Sequence, residues 1–284
     1  NWTMFDNMRG VATGGITAEL FPNDSAVERN AFNIFNFNAT GFETEGTLDE
    51  TNKNGDTFIY MAIRRGPLAA PDDATKVFVP AVSGTNNNPS FVTPFNAPDY
   101  ALVGNPSGGS WYSSTRLLGS NSLDTSSTSA QASNSAYSMK FNGAMDSYWS
   151  GYRAWIWKRA PSFFDVLTTT TSNADINHSL GVAPELTIYK NRSGDTWPVF
   201  APTDGALFLN SDQRSGGYGN GSYLNQTYGA RASATTVSDG GGYLGNNINV
   251  VIYLFASLSG ISKIGSYTCL LYTSYAADDG LSVD

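Results

Sequence analysis

The sequence predicts an all-β protein of tandem antiparallel β-sandwiches, jelly-roll or lectin-like, and three observations carry that prediction. The first is composition. Charged residues make up 14% of the 284 residues and aromatics 13%, and Gly, Ser, Thr and Asn are abundant. Few charges, many rings and many turn formers describe short strands joined by tight turns. The second is pattern: the apolar runs are short and β-branched or aromatic, and none sustains a 3.6-residue period. The third is a recurring layout. Pro98-Asp99-Tyr100-Ala101-Leu102 is followed by Trp111, and Pro184-Glu185-Leu186-Thr187-Ile188 by Trp197, each Trp thirteen residues after its proline. A recurrence of roughly 85–110 residues is too long for a solenoid turn and suits a small domain.

The layout divides the chain into a first repeat over 1–66, a second over 67–160 and a third over 161–268, with a tail at 269–284. After each Trp comes a leucine-and-polar element, Leu123-Asp124-Thr125-Ser126 or Leu207-Phe208-Leu209-Asn210-Ser211. A fragment of the same order opens the chain, with Trp2 and then Leu20-Phe21-Pro22-Asn23. This first copy lacks the strand and proline that precede the other two Trp residues. It is expected to be N-terminally truncated, with an unpaired, aggregation-prone neighbour where the strand is missing. Trp2, Trp111 and Trp197 recur in register and are assigned to the core.

Each repeat closes on an aromatic run. Phe58-Ile59-Tyr60-Met61-Ala62-Ile63 is apolar on both faces and reads as a strand covered on both sides. Asn54-Gly55 before it suits a tight hairpin. Residues 137–141 and 152–157 read as another strand pair, with Asn142-Gly143 opening the connection. Residues 185–190 read as a strand leading into the Asn191–Asp195 turn, and 249–256 as the closing strand of the third repeat. Ala26–Phe32 and Ala130–Ala136 each read as a short helical turn. Residues 66–76 read as a linker. The second junction, 160–162, is so short that the two repeats it joins must pack closely.

Composition also excludes chemistry. The only cysteine, Cys269, lies in the tail, and the only histidine is His178. No Cys–His set or ordinary zinc site can be built, and a Ser–His–Asp set has one candidate. His178 stands in register with Val92 of the preceding copy and is read as a structural strand-entry residue. Glu43, Glu45, Asp49, Glu50, Asp72, Asp73, Asp165, Glu185, Asp204 and Asp212 could supply carboxylate chemistry, but none forms an acid/base pair in sequence. No catalytic, cofactor-binding or metal-ligating residue is assigned. Ser215–Gly219 and Asp239–Gly242 lack the Lys-Ser/Thr of a phosphate loop and read as surface loops. The net charge of −8 falls to −5 without the tail, which holds three acidic residues and no basic one. This acidic balance argues against nucleic-acid binding. No run is long enough for a transmembrane helix. Tyr148 and Trp149, near a turn among clustered aromatics, are the candidate glycan contacts.

Two resemblances add to this reading. Ala160-Pro161-Ser162-Phe163-Phe164-Asp165-Val166, His178-Ser179-Leu180-Gly181-Val182-Ala183-Pro184-Glu185, Lys190-Asn191-Arg192, Trp197 and Gly260-Ile261-Ser262-Lys263-Ile264-Gly265-Ser266-Tyr267-Thr268 together resemble a repeated domain of unknown function. That domain is found in predicted structural and tail proteins of marine tailed phages. Trp2–Gly10 and Tyr60–Arg65 look like the same pattern. Separately, Cys269-Leu270-Leu271-Tyr272-Thr273-Ser274-Tyr275 and the residues after it resemble a translated sequencing adapter, with Tyr275 where Asp is usual; a tail of that origin is set aside in reasoning about the fold. The domain resemblance implies a non-enzymatic structural segment of a virion, tail or tail fibre, located in the virion or outside cells. Its implied partners are other virion proteins, host surface glycans and further copies of itself. The alternatives are a secreted carbohydrate-binding or adhesin module and, more weakly, a glycan depolymerase.

Overall fold

In the computed structural model, residues 2–6, 9–11, 14–37, 41–63, 68–84, 89–133, 135–145, 151–201, 206–211, 232–240 and 244–265 are described. The strands are β1 (Phe35–Phe37), β2 (Phe42–Thr44), β3 (Phe78–Val82), β4 (Phe91–Val92), β5 (Tyr100–Gly104) and β6 (Trp111–Thr115). They continue with β7 (Asn121–Asp124), β8 (Ala132–Ser133), β9 (Met139–Lys140), β10 (Gly143–Ala144), β11 (Arg153–Trp157) and β12 (Phe164–Thr170). The last are β13 (Asp175–Asn177), β14 (Leu186–Asn191), β15 (Pro198–Phe200), β16 (Ala206–Phe208), β17 (Thr236–Ser238) and β18 (Asn249–Phe255). Most are short, as a chain rich in turn formers dictates. The all-β, antiparallel, layered fold is the one the composition predicts.

Two large sheets share one strand order. The first runs β3-β11-β5-β6-β7-β8 and the second β12-β18-β14-β15-β16. In each, the last long strand inserts between the first strand and the next member of the sheet. Registers agree as well. Trp157 stands opposite Phe78 and Tyr100, and Phe255 opposite Phe164 and Leu186. Trp111 starts β6 opposite Gly104. Extending the β14–β15 pairing of Thr187 with Phe200 and Ile188 with Val199 puts Trp197 opposite Lys190, the corresponding place. A small sheet backs each large one: β4-β10-β9 behind the first and β13-β17 behind the second.

Pleating separates the two faces of each large sheet. One face of the first packs Ala101, Val103, Ala154 and Ile156 against Phe91, Met139, Ala144 and Met145 of its small sheet. The second does the same with Val250, Ile252, Leu254 and Tyr189 against Val237 and Leu180. The opposite faces pack on each other. Tyr100, Leu123, Phe164, Val166, Trp197, Val251 and Tyr253 form one buried cluster, with Trp157 and Phe255 packed against it. Tyr100 lies 5.7 Å from Phe164 and 4.8 Å from Tyr253 between ring centroids. The order of layers is therefore small sheet, large sheet, large sheet, small sheet. Each fully buried ring in the middle contributes about 1.5–3 kcal/mol.

The short junction at 160–162 lies beside buried ionic contacts. Asp99 pairs with Arg116 and also accepts the Arg159 backbone N–H at 2.8 Å. The Arg159 guanidinium pairs with Asp165 at 2.8 Å, and Asp165 accepts the Ser179 N–H at 2.8 Å. Removing one partner of such a set would strand a buried charge, which is costly.

Several expectations are corrected. Phe58–Ile63 forms no strand and is exposed; Ile59, Met61 and Ile63 are each more than 80% accessible. Its counterparts β11 and β18 have a neighbour on each side, whereas 58–63 has no ladder partner among the described residues. Tyr60 packs its ring on Phe42 of β2, with centroids 5.1 Å apart. Gly55 has positive φ, but Asn54-Gly55 closes no hairpin. Residues 137–141 do not pair with 152–157. Met139 and Lys140 pair with Ala144 and Gly143 across the Asn142 turn, and β11 is drawn into the centre of the large sheet. Residues 26–32 form no helical turn, and 130–136 holds β8 at Ala132–Ser133 instead, with a 3₁₀ turn only at Ser135–Tyr137. The N-terminal residues gather Phe5, Val11, Ile34, Phe35, Phe42 and Leu48 into a small cluster.

Candidate functional site

Gly104 has no side chain, and the Trp111 ring lies in the space this leaves. A Cβ on Gly104 would fall 2.1 Å from the ring. Trp155, on β11 at the far side of the Gly104 strand and on the same face, stacks on Trp111 across that strand with centroids 5.0 Å apart and planes 16° apart. Trp155 is 42% exposed and Val82 is 60% exposed. Arg153, two residues before Trp155 and opposite Val82, is exposed as well. Together they make an open aromatic patch beside a guanidinium.

The second large sheet carries the matching pair, Trp197 and Tyr253, with centroids 6.3 Å apart and planes at 25°. Here both rings are 1% exposed. The difference is the 124–131 segment, which runs on from the end of β7 of the first large sheet. The Trp197 indole N–H donates to the carbonyls of Asp124 at 3.1 Å and Ser127 at 3.2 Å. The Asp195 N–H donates to Thr128 O at 2.8 Å, and Arg192 Nε donates to Gln131 Oε1 at 2.9 Å. Ser113 Oγ lies 2.6 Å from the Tyr253 hydroxyl. Lys190 is buried with its amine 5.1 Å from the centre of the Trp197 ring, and desolvation pushes its pKa down to about 8.

Trp197 is thus the core residue the sequence predicts. Trp111 is only half-buried; among the described residues no segment covers it as 124–131 covers Trp197. Trp2 is 67% exposed and not in the core; its backbone N–H donates to Asn23 Oδ1 at 2.9 Å. The candidate glycan contacts Tyr148 and Trp149 lie outside the described residues, as do Asp204, Asp212, the 215–219 glycines and the 269–284 tail. Trp155 was the residue to find by alternation: on β11 it lies on the same face as Trp157, two positions nearer the open end.

Three of the titratable candidates, His178, Asp165 and Glu185, are engaged by hydrogen bonds or an ion pair. His178 is buried, with Nε2 3.1 Å from Ser233 O and Nδ1 accepting the Leu180 N–H at 3.2 Å. Both ring nitrogens are used by backbone. Asp165 holds Arg159 and Ser179. Asp239–Gly242, read from the sequence as a surface loop, begins inside the protein: Asp239 and Gly240 are buried, and Asp239 accepts from the Ser172 and Ala174 N–H groups at 2.6 and 3.0 Å, while 241–242 lie outside the described residues. Glu185 accepts from Ser257 Oγ at 2.6 Å. Among the described residues, no group of three or more His, Cys, Asp or Glu is placed to hold a metal ion. A polar cleft of about 670 Å³ lies between the N-terminal residues and the first large sheet, lined in part by Arg9, Glu28, Asn30, Gln131, Lys140 and Arg192.

Residues 1–67 and 114–273 match a family model described as a domain of unknown function, DUF7483. The chain belongs to the DUF7483 family. The DUF7483 match takes in the buried Trp197–Tyr253 pair, the 124–131 segment that covers it, and Phe58–Ile63. It omits 68–113, where β3, β5 and Trp111 lie, and it runs five residues past Thr268. No curated protein and no solved structure matches the chain.

Proposed function

We propose that this DUF7483 chain is a non-enzymatic structural segment of a phage virion, in the tail or a tail fibre, built from tandem copies of one sandwich. The observation that carries this reading is the aromatic layer shared by the two large sheets. Face-to-face packing through Tyr100, Trp157, Phe164 and Tyr253 makes neighbouring repeats mutually dependent. That arrangement suits a load-bearing segment better than a set of independent binding modules. The virion assignment rests on the resemblance of the sequence pattern to phage tail proteins. Mass spectrometry of purified tailed-phage particles should recover peptides of this chain, such as 164–190, with tail proteins. Recovery only from fractions free of particles would count against it.

A second reading, carbohydrate binding, is favoured by the open Trp111–Trp155 patch. Aromatic faces stack on sugar rings, and Arg153 offers donors beside them. Saturable glycan-array binding lost in Trp155→Ala would support it. Binding unchanged in that variant would remove the patch from consideration.

A further inference from the structure

We propose that Phe58–Ile63 is a docking strand: it becomes the centre of a further large sheet when a polypeptide carrying the two flanking strands of this same domain adds along its edges. The evidence is internal to the chain. Three segments share one sequence position at the close of a repeat, and two of them, β11 and β18, each sit between two antiparallel neighbours. The third is likewise apolar and aromatic, has neither ladder neighbour among the described residues, and makes one ring contact, Tyr60 with Phe42 of β2 at 5.1 Å.

Aligning the basic-Arg-small-Pro steps, Arg64-Arg65-Gly66-Pro67 on Lys158-Arg159-Ala160-Pro161, places Ile63 on Trp157 and Met61 on Trp155. In both complete sheets the residue at the Trp157 position faces large apolar residues on either side: Phe78 and Tyr100, or Phe164 and Leu186. The occupant is therefore a pair of extended apolar strands like β3 and β5, with a ring or leucine opposite Ile63. Exposure agrees with a vacant central strand rather than a solvent edge. Native edges are protected by charge, proline or a bulge, yet 58–63 holds no charged residue and no proline. Phe58 and Tyr60, which a strand would place on one face, are 44% and 73% exposed, and Ile59, Met61 and Ile63, which it would place on the other, 88%, 85% and 83%. Strand addition satisfies the backbone and buries both faces at once.

The probe is a synthetic polypeptide of residues 76–104, which contains β3 and β5, titrated into the full chain. The expected result is saturable binding with at least about tenfold slower amide exchange at 58–63. Met61→Pro removes a central N–H and should abolish binding without moving the unfolding midpoint of the chain. The double variant Ile59→Lys, Met61→Lys, which leaves the backbone donors intact, should weaken it by charging one face. Absence of binding overturns the proposal, as does protection elsewhere in the chain or binding that survives Met61→Pro. Concentration-dependent protection of 58–63 without the probe also overturns it, and points to a second copy as the occupant.

Discussion

At the scale of single residues, the buried core between the sheets sets an unusual pH profile. Lys190 is charged in both the folded and unfolded chain below about pH 8, so its desolvation cost is then present in full. Between about 8 and its ordinary value of 10.5 the folded chain has released a proton the unfolded chain keeps, and stability rises with pH. Tyr100 and Tyr253 act in the opposite sense. Burial raises both above the ordinary 10.0, so above pH 10 only the unfolded chain ionises them and stability falls. Urea unfolding as a function of pH should therefore show a stability maximum near pH 10. Lys190→Met should flatten the rise between pH 8 and 10, and Tyr253→Phe should reduce the fall above it. A profile declining steadily from pH 7 in the parent chain would refute this assignment.

The paired tryptophans give a second test at this scale. Trp197→Ala should cost about 3–5 kcal/mol, since it empties a buried site and frees two carbonyls. Trp111→Ala should cost clearly less, because that ring is half open to water. Chemical denaturation of both variants checks the order. Gly119 gives a third. It has φ +60, and a Cβ there would sit 2.8 Å from Arg9 O. Gly119→Ala should destabilise the chain by about 1–3 kcal/mol through backbone strain at the contact with the N-terminal residues. An unchanged unfolding midpoint would mean that this contact is not maintained in solution.

At the scale of elements, much was legible in the sequence. The runs 185–190 and 249–256 became β14 and β18 nearly as bounded, because their composition and flanking turns leave little choice. The brevity of 160–162 foretold the close packing of the two large sheets. Strand partnership was less legible. Pairing 137–141 with 152–157 assumed that neighbours in sequence pair, whereas β11 is taken by β3 and β5 from far upstream. Reading 58–63 as a doubly covered strand was correct about its composition and wrong about its state, since a strand exists only with its neighbours. Trp155 stands in sequence among the clustered aromatics of the 111–157 region, with nothing there to set it apart as the open one. Trp155 and Trp157 look alike in sequence and share a face, yet Trp157 packs against the cluster between the sheets while Trp155 stacks on Trp111 and stays 42% exposed. Tyr148 and Trp149 drew attention by proximity to a turn, a weaker signal than alternation along a strand.

At the scale of the whole molecule, two sheets of one connectivity share a core that neither completes alone. Breaking the shared layer should therefore affect both sheets. Phe164→Ala, at the centre of the ring contacts, should lower the resistance to unfolding of β11 as well as β18, and by similar amounts. The most direct measurement is hydrogen exchange across an equilibrium urea titration, followed separately for Arg153–Trp157 and Asn249–Phe255, the central strands of the two sheets. If the sheets form one cooperative body, both strands lose protection at the same urea concentration with the same slope. Two well-separated transitions, with one sheet intact while the other is open, would contradict it.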